Sequence, residues 1–397
     1  MTTPSFRILH LNSMLSGGGT DDQCVKLVAA LQNIGQRVWI AGPDGREYSS
    51  QIRELKLNYS VTPPEGPLKL RFILAAAKII RRENIQIVHG HHGRDYWPTV
   101  LAAKWSGVKP KIVLSRHLAK SPGSSFSRNY LLGRCDLMIA VSEFVAKVLK
   151  EGVYEPNSPE AERHSRPPIQ GDHRKIHVVY GGIDTTQFHP MDAGALRSSW
   201  GLAPNDYAFG VVGSYPLPRG KGQREFLRAA ASIHKELPNA KFLIIGRGTL
   251  EATLRKDIEE LGLTGKAWLT PYCHDMPAAM NALDCLVHPQ VGTEAFCAVV
   301  IEAFACGRPV IASALDGIPE AFAAGNFGQL TTPESVNELA DAMRKWFSQP
   351  AASQSERNAM HSKISSTFST LAFARRMLQL YGHLMGPAGS PTVGRES

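Results

Sequence analysis

The run Gly292–Glu320, GTEAFCAVVIEAFACGRPVIASALDGIPE, constrains this chain more than any other stretch. Pro309 bars a helix from passing through it and biases the preceding residue toward extended backbone. The apolar residues ahead of it are therefore expected to form a short helix ending near Cys306 or Gly307, with Val310-Ile311 opening a buried strand. Glu294 and Glu302 have seven residues between them. Carried on one helix at about 1.5 Å per residue, their carboxylates stand roughly 12 Å apart along the axis. A helix N-terminus between them offers unpaired N–H groups and a positive dipole end to a diphosphate. The plainer alternative is two surface glutamates on an amphipathic helix. Against it, the apolar density leaves little of this helix exposed, and an unused buried carboxylate costs several kcal/mol.

The same order of strand, glycine turn and helix recurs along the chain. Phe6–Leu11 reads as a strand, Ser16–Thr20 (SGGGT) as the turn, and residues 21–35 as the helix. Strands follow at Arg37–Ala41, Ile85–Val88, Lys111–Leu114 and Leu137–Ala140, with a helix at Leu68–Arg82. In the second half, strand Ala208–Val212 leads into the glycine-rich loop Gly213–Gly222 and helix Gln223–Leu237, and strands recur at Phe242–Ile245 and Leu283–His288. Such alternation predicts an α/β fold with doubly wound parallel sheets, whose ligands sit beyond the carboxyl ends of the strands. With 397 residues and 43 % hydrophobic content the chain suffices for two domains. Gly17, Gly18 and Gly19 either let backbone approach a phosphate or sugar closely or form a flexible turn. A dinucleotide fingerprint is incomplete there.

Charge narrows the partners. Of the net +9, residues 1–190 hold 25 Lys and Arg against 16 Asp and Glu, while residues 191–397 are balanced at 19 each. A basic face attracts nucleic acid, an acidic substrate or an anionic membrane surface. No nucleic-acid motif is present, which leaves the last two. In Leu68–Arg82 the apolar Phe72, Ile73, Ala76, Ile79 and Ile80 share one face, opposite Arg71, Lys78, Arg81 and Arg82. That basic face is either solvated or a membrane-surface contact. No apolar run reaches membrane-spanning length and the N-terminus lacks a signal-peptide pattern, so a soluble cytoplasmic protein, peripheral at the inner membrane surface, is expected. The six cysteines are scattered and indicate neither disulfides nor a zinc site, and His89, His91 and His92 have no carboxylate or Cys at a matching spacing, so no metal is expected. Residues 151–175, rich in Pro and charge, read as an inserted loop.

The Glu, seven residues, Glu pattern resembles that of retaining nucleotide-sugar glycosyltransferases of the GT-B fold, specifically glycosyltransferase family four, and ALDGIPE resembles that family's following strand and turn. Supporting matches run in order: the glycine turn at 17–19, the His89–His92 strand end, Ser115-Arg116-His117, Ile139–Glu143, Val178–Pro190, Lys221 with its glycine loop, and Ala267–Met276 as the segment that reads the base. The resemblance implies two Rossmann-like domains facing across a cleft. Residues 1–188 would form the acceptor side and 189–370 the donor domain, with helix 371–385 crossing back and 386–397 a disordered tail. It further implies that Lys221 and Arg219 hold the diphosphate, Glu302 the ribose, and Glu294 with the backbone of Phe296, Cys297 and Ala298 the sugar. Ser214, Gly246, Arg247 and His274 would complete the donor site. On the acceptor side, His117 would bond the transferred sugar, with His91, His92 and Arg116 beside it; without the resemblance, His117 is an ordinary loop histidine. This chain departs from the family at Ser214, where relatives carry Arg, and at Cys297, where they carry Gly. The implied reaction is retaining and metal-independent transfer from a UDP-, GDP- or ADP-linked sugar, without a further cofactor, to an anionic glycolipid or glycan such as a lipopolysaccharide core. A small soluble acceptor and a non-catalytic sugar-nucleotide-binding subunit are the alternatives.

Overall fold

A computed structural model describes residues 5–63, 69–153 and 167–386, and the chain divides into two compact units. Unit 1 holds the chain up to Gly182 together with residues from Thr370 onward, and unit 2 is the continuous segment Ile183–Ser369. Each unit is built on one parallel sheet.

In unit 1 the strands are β1 (Arg7–Leu11), β2 (Arg37–Gly42), β3 (Asn58–Val61), β4 (Ile87–Gly90), β5 (Lys111–Arg116), β6 (Leu137–Ala140) and β7 (Ile176–Val178), in the order β3-β2-β1-β4-β5-β6-β7. Alternate residues of β1 serve two cores, because successive side chains in a strand point to opposite faces. Ile8 packs with Val25, Val28, Val38 and Ile40. Leu9 and Leu11 pack on the other face with Phe72, Ile73, Ile79 and Ala102. The helix Thr370–Met385 completes the first of these cores with Phe373, Met377 and Tyr381.

Unit 2 holds β8 (Tyr207–Val212), β9 (Ala240–Ile245), β10 (Ala267–Leu269), β11 (Cys285–His288), β12 (Val310–Ser313) and β13 (Gly328–Thr331), in the order β10-β9-β8-β11-β12-β13. Its central strands are buried on both faces, which is why they read as continuous apolar runs. Strand order reverses between β1 and β4 in unit 1 and between β8 and β11 in unit 2. In open parallel sheets the crevice at such a reversal is where ligands settle.

Several expectations shift. The helix of the Glu294–Glu302 run spans only Ala298–Ala305, so Glu294 lies in the preceding loop and the two carboxylates do not share one helix. Asp316 and Gly317 hold that loop out of helical register through hydrogen bonds with Glu294 backbone groups. The helix after Lys221 ends at Ile233 instead of Leu237. The division between units falls after Gly182, ahead of the expected 188, and the return to unit 1 begins at Thr370. Of the expected inserted loop, residues 154–166 lie outside the described residues, as do Leu68 at the start of its helix and residues 387–397 of the tail.

Candidate active site

In unit 2, three loops meet at the β8–β11 reversal. Gly222 stands at φ +86°, and a Cβ there would run into the Pro289 carbonyl at the end of β11. Gly246 stands at φ +150°, and a Cβ there would meet the Gly213 carbonyl. Only glycine lets these backbones approach so closely. Buried Gln223 fixes the end of the first loop, its Oε1 accepting the Lys221 backbone N–H at 2.7 Å.

Lys221 then reaches Glu294, with Nζ 3.2 Å from Oε2. The Glu294 N–H donates to Asp316 Oδ2 at 3.1 Å and its carbonyl accepts from the Gly317 N–H at 3.1 Å, so the carboxylate is carried on a tethered loop. Burial works against the Lys221 ammonium, but Glu294, Cys297 and Glu302 outweigh it and hold its pKa above the ordinary lysine value. Directly after this pair, the helix Ala298–Ala305 begins with Cys297 as its N-cap and no capping side chain. Glu302 is half-buried on that helix. A fixed cation, a carboxylate and an uncapped helix start are thus brought to one loop, an arrangement that suits a sugar diphosphate.

The other donor-side residues divide. The Arg247 guanidinium lies over the Tyr272 ring at 4.8 Å, and Tyr272 meets His274 edge-on at 4.6 Å, which makes an exposed flat platform. Arg219 is instead paired with Glu334 at 2.7 Å, more than half exposed. Ser214 is exposed, and its carbonyl accepts from Gln223 Nε2 at 3.5 Å. The Phe296 ring stacks on Phe368 at 6.1 Å, and the Cys297 thiol is buried, which pushes its pKa up.

Unit 1 gathers histidines at its own reversal. His91 stacks with His10 and His89 at ring-centroid distances of 5.2 and 4.2 Å, His10 and His89 are tilted at 5.2 Å, and His117 stacks on His91 at 5.9 Å. Burial drives His10 and His117 down to about 3 and His89 and His91 well below the ordinary histidine value, so all four are neutral at pH 7. His10 Nδ1 lies 2.9 Å from His91 Nε2, and His89 is bonded by Tyr381 and Ser115, each at 2.7 Å. His117 Nε2 and His91 Nδ1 have no hydrogen-bond partner among the described residues.

The glycine turn is organised differently from its expected role. Asp21 Oδ2 accepts the N–H groups of Ser16 and Gly17 at 3.0 and 3.1 Å, and its Oδ1 takes Asn12 Nδ2 at 2.8 Å and His92 Nε2 at 2.6 Å. Burial pushes this carboxyl up, but the bonds from His92 and Asn12 prevail and hold it below the usual aspartate range. Those two N–H groups are therefore committed to a carboxylate of the chain and not left for a phosphate; Gly18 and Gly19 are exposed at the tip. Arg116 likewise departs from its expected part as an acceptor contact. It is buried, with Nε donating to the Lys120 carbonyl at 2.7 Å and Nη2 to the Ser121 carbonyl at 3.2 Å, so it props its own turn.

Sequence reasoning passed over Asp21, Gln223, Asp316 and His288. Asp21 carries the usual signal of an acid in a helix's first turn and Gln223 opens a helix after a glycine, but both signals are common to ordinary helix starts.

Residues 194–364 match the glycosyl transferases group 1 family and residues 17–157 match glycosyltransferase family 4. D-inositol 3-phosphate glycosyltransferase of Mycobacterium tuberculosis is 33 % identical over 180 residues, 43 % of this chain and 36 % of that protein. The match thus spans about a third of the relative's length. Among solved structures, a glycosyltransferase from Rickettsia africae superposes with a TM-score of 0.80 at 19 % identity, covering 97 % of this chain and 100 % of its own. Anabaena HepE in complex with UDP-glucose superposes at 0.76 and 19 % identity, covering 95 % and 99 %.

Proposed function

We propose that this chain, which belongs to the GT-B glycosyltransferases of the group 1 and family 4 type, moves a sugar from a nucleoside diphosphate to an anionic glycan acceptor, with retention at the anomeric carbon. The observation that carries this reading is the pairing of Lys221 with Glu294 directly ahead of the uncapped helix that bears Glu302. Departure of a nucleoside diphosphate builds negative charge on phosphate and leaves an oxocarbenium-like sugar. In this reading the Lys221 ammonium and the first N–H groups of helix Ala298–Ala305 oppose that charge as it forms. Preorganised charge of this kind lowers the barrier because it is worth more in the transition state than in the ground state.

Glu294 and the backbone of residues 296–298 then take the sugar hydroxyls, and Glu302 takes the ribose. Arg219 adds a second cation by exchanging Glu334 for phosphate. The Arg247, Tyr272 and His274 platform receives the base, and its flat exposed ring supports that role. His117, whose Nε2 has no partner among the described residues, is assigned to a sugar hydroxyl. Retention follows if the acceptor attacks the face from which phosphate leaves and a phosphate oxygen takes its proton. This reading needs neither a covalent nucleophile nor a metal. UDP-glucose in the Anabaena structure supports a uridine donor, with GDP- and ADP-sugars as the alternatives.

For the acceptor, the basic excess of residues 1–190 favours a phosphorylated glycolipid of cell-surface glycan synthesis, such as a lipopolysaccharide core, met at the inner face of the cytoplasmic membrane. On helix Leu70–Arg82 the exposed Leu70 and Leu74 lie among exposed Arg71, Lys78 and Arg82, a mixture suited to an anionic lipid surface. No described helix is long and apolar enough to cross a membrane. The name of the mycobacterial relative favours a second reading, a small phosphorylated acceptor. The deciding experiment is a nucleotide-sugar panel read by thermal shift, with Glu302→Ala as control. A single donor that raises the Tm of the parent but not of the variant supports the reading. A panel with no shift in the parent counts against it. Binding to anionic vesicles that falls steeply with salt favours the glycolipid over the small acceptor.

A further inference from the structure

The loop from the end of β11 to the helix at Ala298 brings together three different metal-ligating side chains. One donor atom each from His288, Glu294 and Cys297 lies within 4.8 Å of the other two. His288 is fully buried, and neither of its ring nitrogens has a hydrogen-bond partner among the described residues. An imidazole taken out of water with both nitrogens unsatisfied is a standing cost, and a bound ion is one of the explanations such a group calls for. Beside it, the Cys297 thiol is 2 % exposed and the Glu294 carboxylate is held by Lys221.

We infer that His288, Glu294 and Cys297 form a binding site for a soft divalent cation of the zinc class, one that shuts the donor site when filled. An imidazole nitrogen, a thiolate and a carboxylate oxygen are the donors zinc takes, and three protein ligands leave a fourth position for water. Magnesium, which prefers oxygen alone, is not matched by this set. The His10, His89 and His91 stack is a poorer candidate, because both nitrogens of His89 are already bonded to Tyr381 and Ser115. Among the described residues His288 itself has no hydrogen bond to give up, and the contact this site exchanges for the cation is the Lys221–Glu294 pair.

Binding proceeds with loss of the Cys297 thiol proton to solvent and transfer of Glu294 from the Lys221 ammonium to the cation, so a proton leaves as the cation enters. Lys221 and Glu294 are the residues assigned above to leaving phosphate and sugar. The inhibitory part of the inference rests on that reading, whereas the cation site itself does not.

The test is a cobalt(II) titration of the full chain with its cysteines reduced. A thiolate-to-cobalt charge-transfer band that saturates at one equivalent and is bleached by Zn²⁺ is expected. It disappears in Cys297→Ser and persists in Cys273→Ser and in His10→Ala. Folding of each variant is checked by circular dichroism, and if Cys297→Ser is unfolded, His288→Gln serves in its place, with cobalt affinity expected to fall at least about tenfold. No saturable band in the parent, or a band unchanged in the Cys297→Ser and His288→Gln variants, overturns the site. In turnover assays, Zn²⁺ at ten times its Kd raises the apparent KM for donor about tenfold and leaves kcat unchanged. A cobalt band without donor competition keeps the cation site and overturns the inhibition along with the donor assignment of this loop.

Discussion

The Tyr381 hydroxyl lies 2.7 Å from His89 Nδ1, joining two residues 292 positions apart in the chain. Both are fully buried, and the second nitrogen of His89 is bonded to the Ser115 hydroxyl. Removing the phenolic oxygen in Tyr381→Phe keeps the ring in the core and leaves His89 Nδ1 unsatisfied. The expected loss is about 1–3 kcal/mol of unit 1 stability in urea unfolding. A loss of only a few tenths would mean that the imidazole finds another partner.

Acid should weaken unit 1 before ordinary carboxylate titration does. His10 is depressed to about 3 by burial, and His89 and His91 lie well below their ordinary value for the same reason. Between about pH 6.5 and 3 the unfolded chain therefore binds protons that the folded chain refuses, so stability falls as pH falls through that window. Replacing His10 with Gln should flatten the dependence by about 1.4 kcal/mol per pH unit. An unchanged slope in urea melts across pH 4–6 would show that His10 is protonated in the folded state.

Lys221 and Arg219 should separate in kinetics. Lys221→Ala is expected to lower kcat by roughly two to three orders of magnitude, the scale for removing one preorganised group at a developing oxyanion. Arg219 is exposed and occupied by Glu334, so Arg219→Ala should mainly raise the donor KM. Equal losses of kcat in the two variants would contradict this ranking.

Tyr272→Ala should weaken binding of free nucleoside diphosphate by about 1–3 kcal/mol, the usual contribution of an aromatic ring stacked on a base. Calorimetry with UDP, GDP and ADP measures it directly. If all three are bound as tightly by the variant as by the parent, the base lies elsewhere.

Gly222→Ala is expected to unfold or strongly destabilise unit 2, because φ +86° and the Pro289 carbonyl both oppose a side chain there. Gly262, also at positive φ but with open space around it, should tolerate the same change with a much smaller fall in Tm.

The parallel sheets were legible where a short apolar run meets Gly or Pro, as β8, β9 and β11 do at Gly213, Gly246 and Pro289, and the second half repeats the signals of the first. Loop paths were less legible. Nothing near Glu294 announces that Asp316, 22 residues on, will hold it off the helix, since that bond is made only once β11 and β12 are side by side. Asp21 and the glycine turn pose the same difficulty. Local reading sees glycines free to approach a phosphate, while the fold brings His92 across from β4 and commits the turn to a carboxylate already in the chain. Arg116 reads as an acceptor contact because it stands beside His117, yet its planar fork is satisfied by two carbonyls within five residues.

The return of helix Thr370–Met385 to unit 1 has a consequence for the order in which the protein is made. A ribosome delivers the sheet of unit 1 first, but the apolar faces of Val25, Val28 and Leu31 await Phe373, Met377 and Tyr381, which emerge only after all of unit 2. At usual elongation rates that interval lasts roughly ten seconds or more. Unit 2, being continuous, is free to close during it. Unit 1, begun before unit 2, is thus completed after it, and for that interval its open face is a natural client for a chaperone.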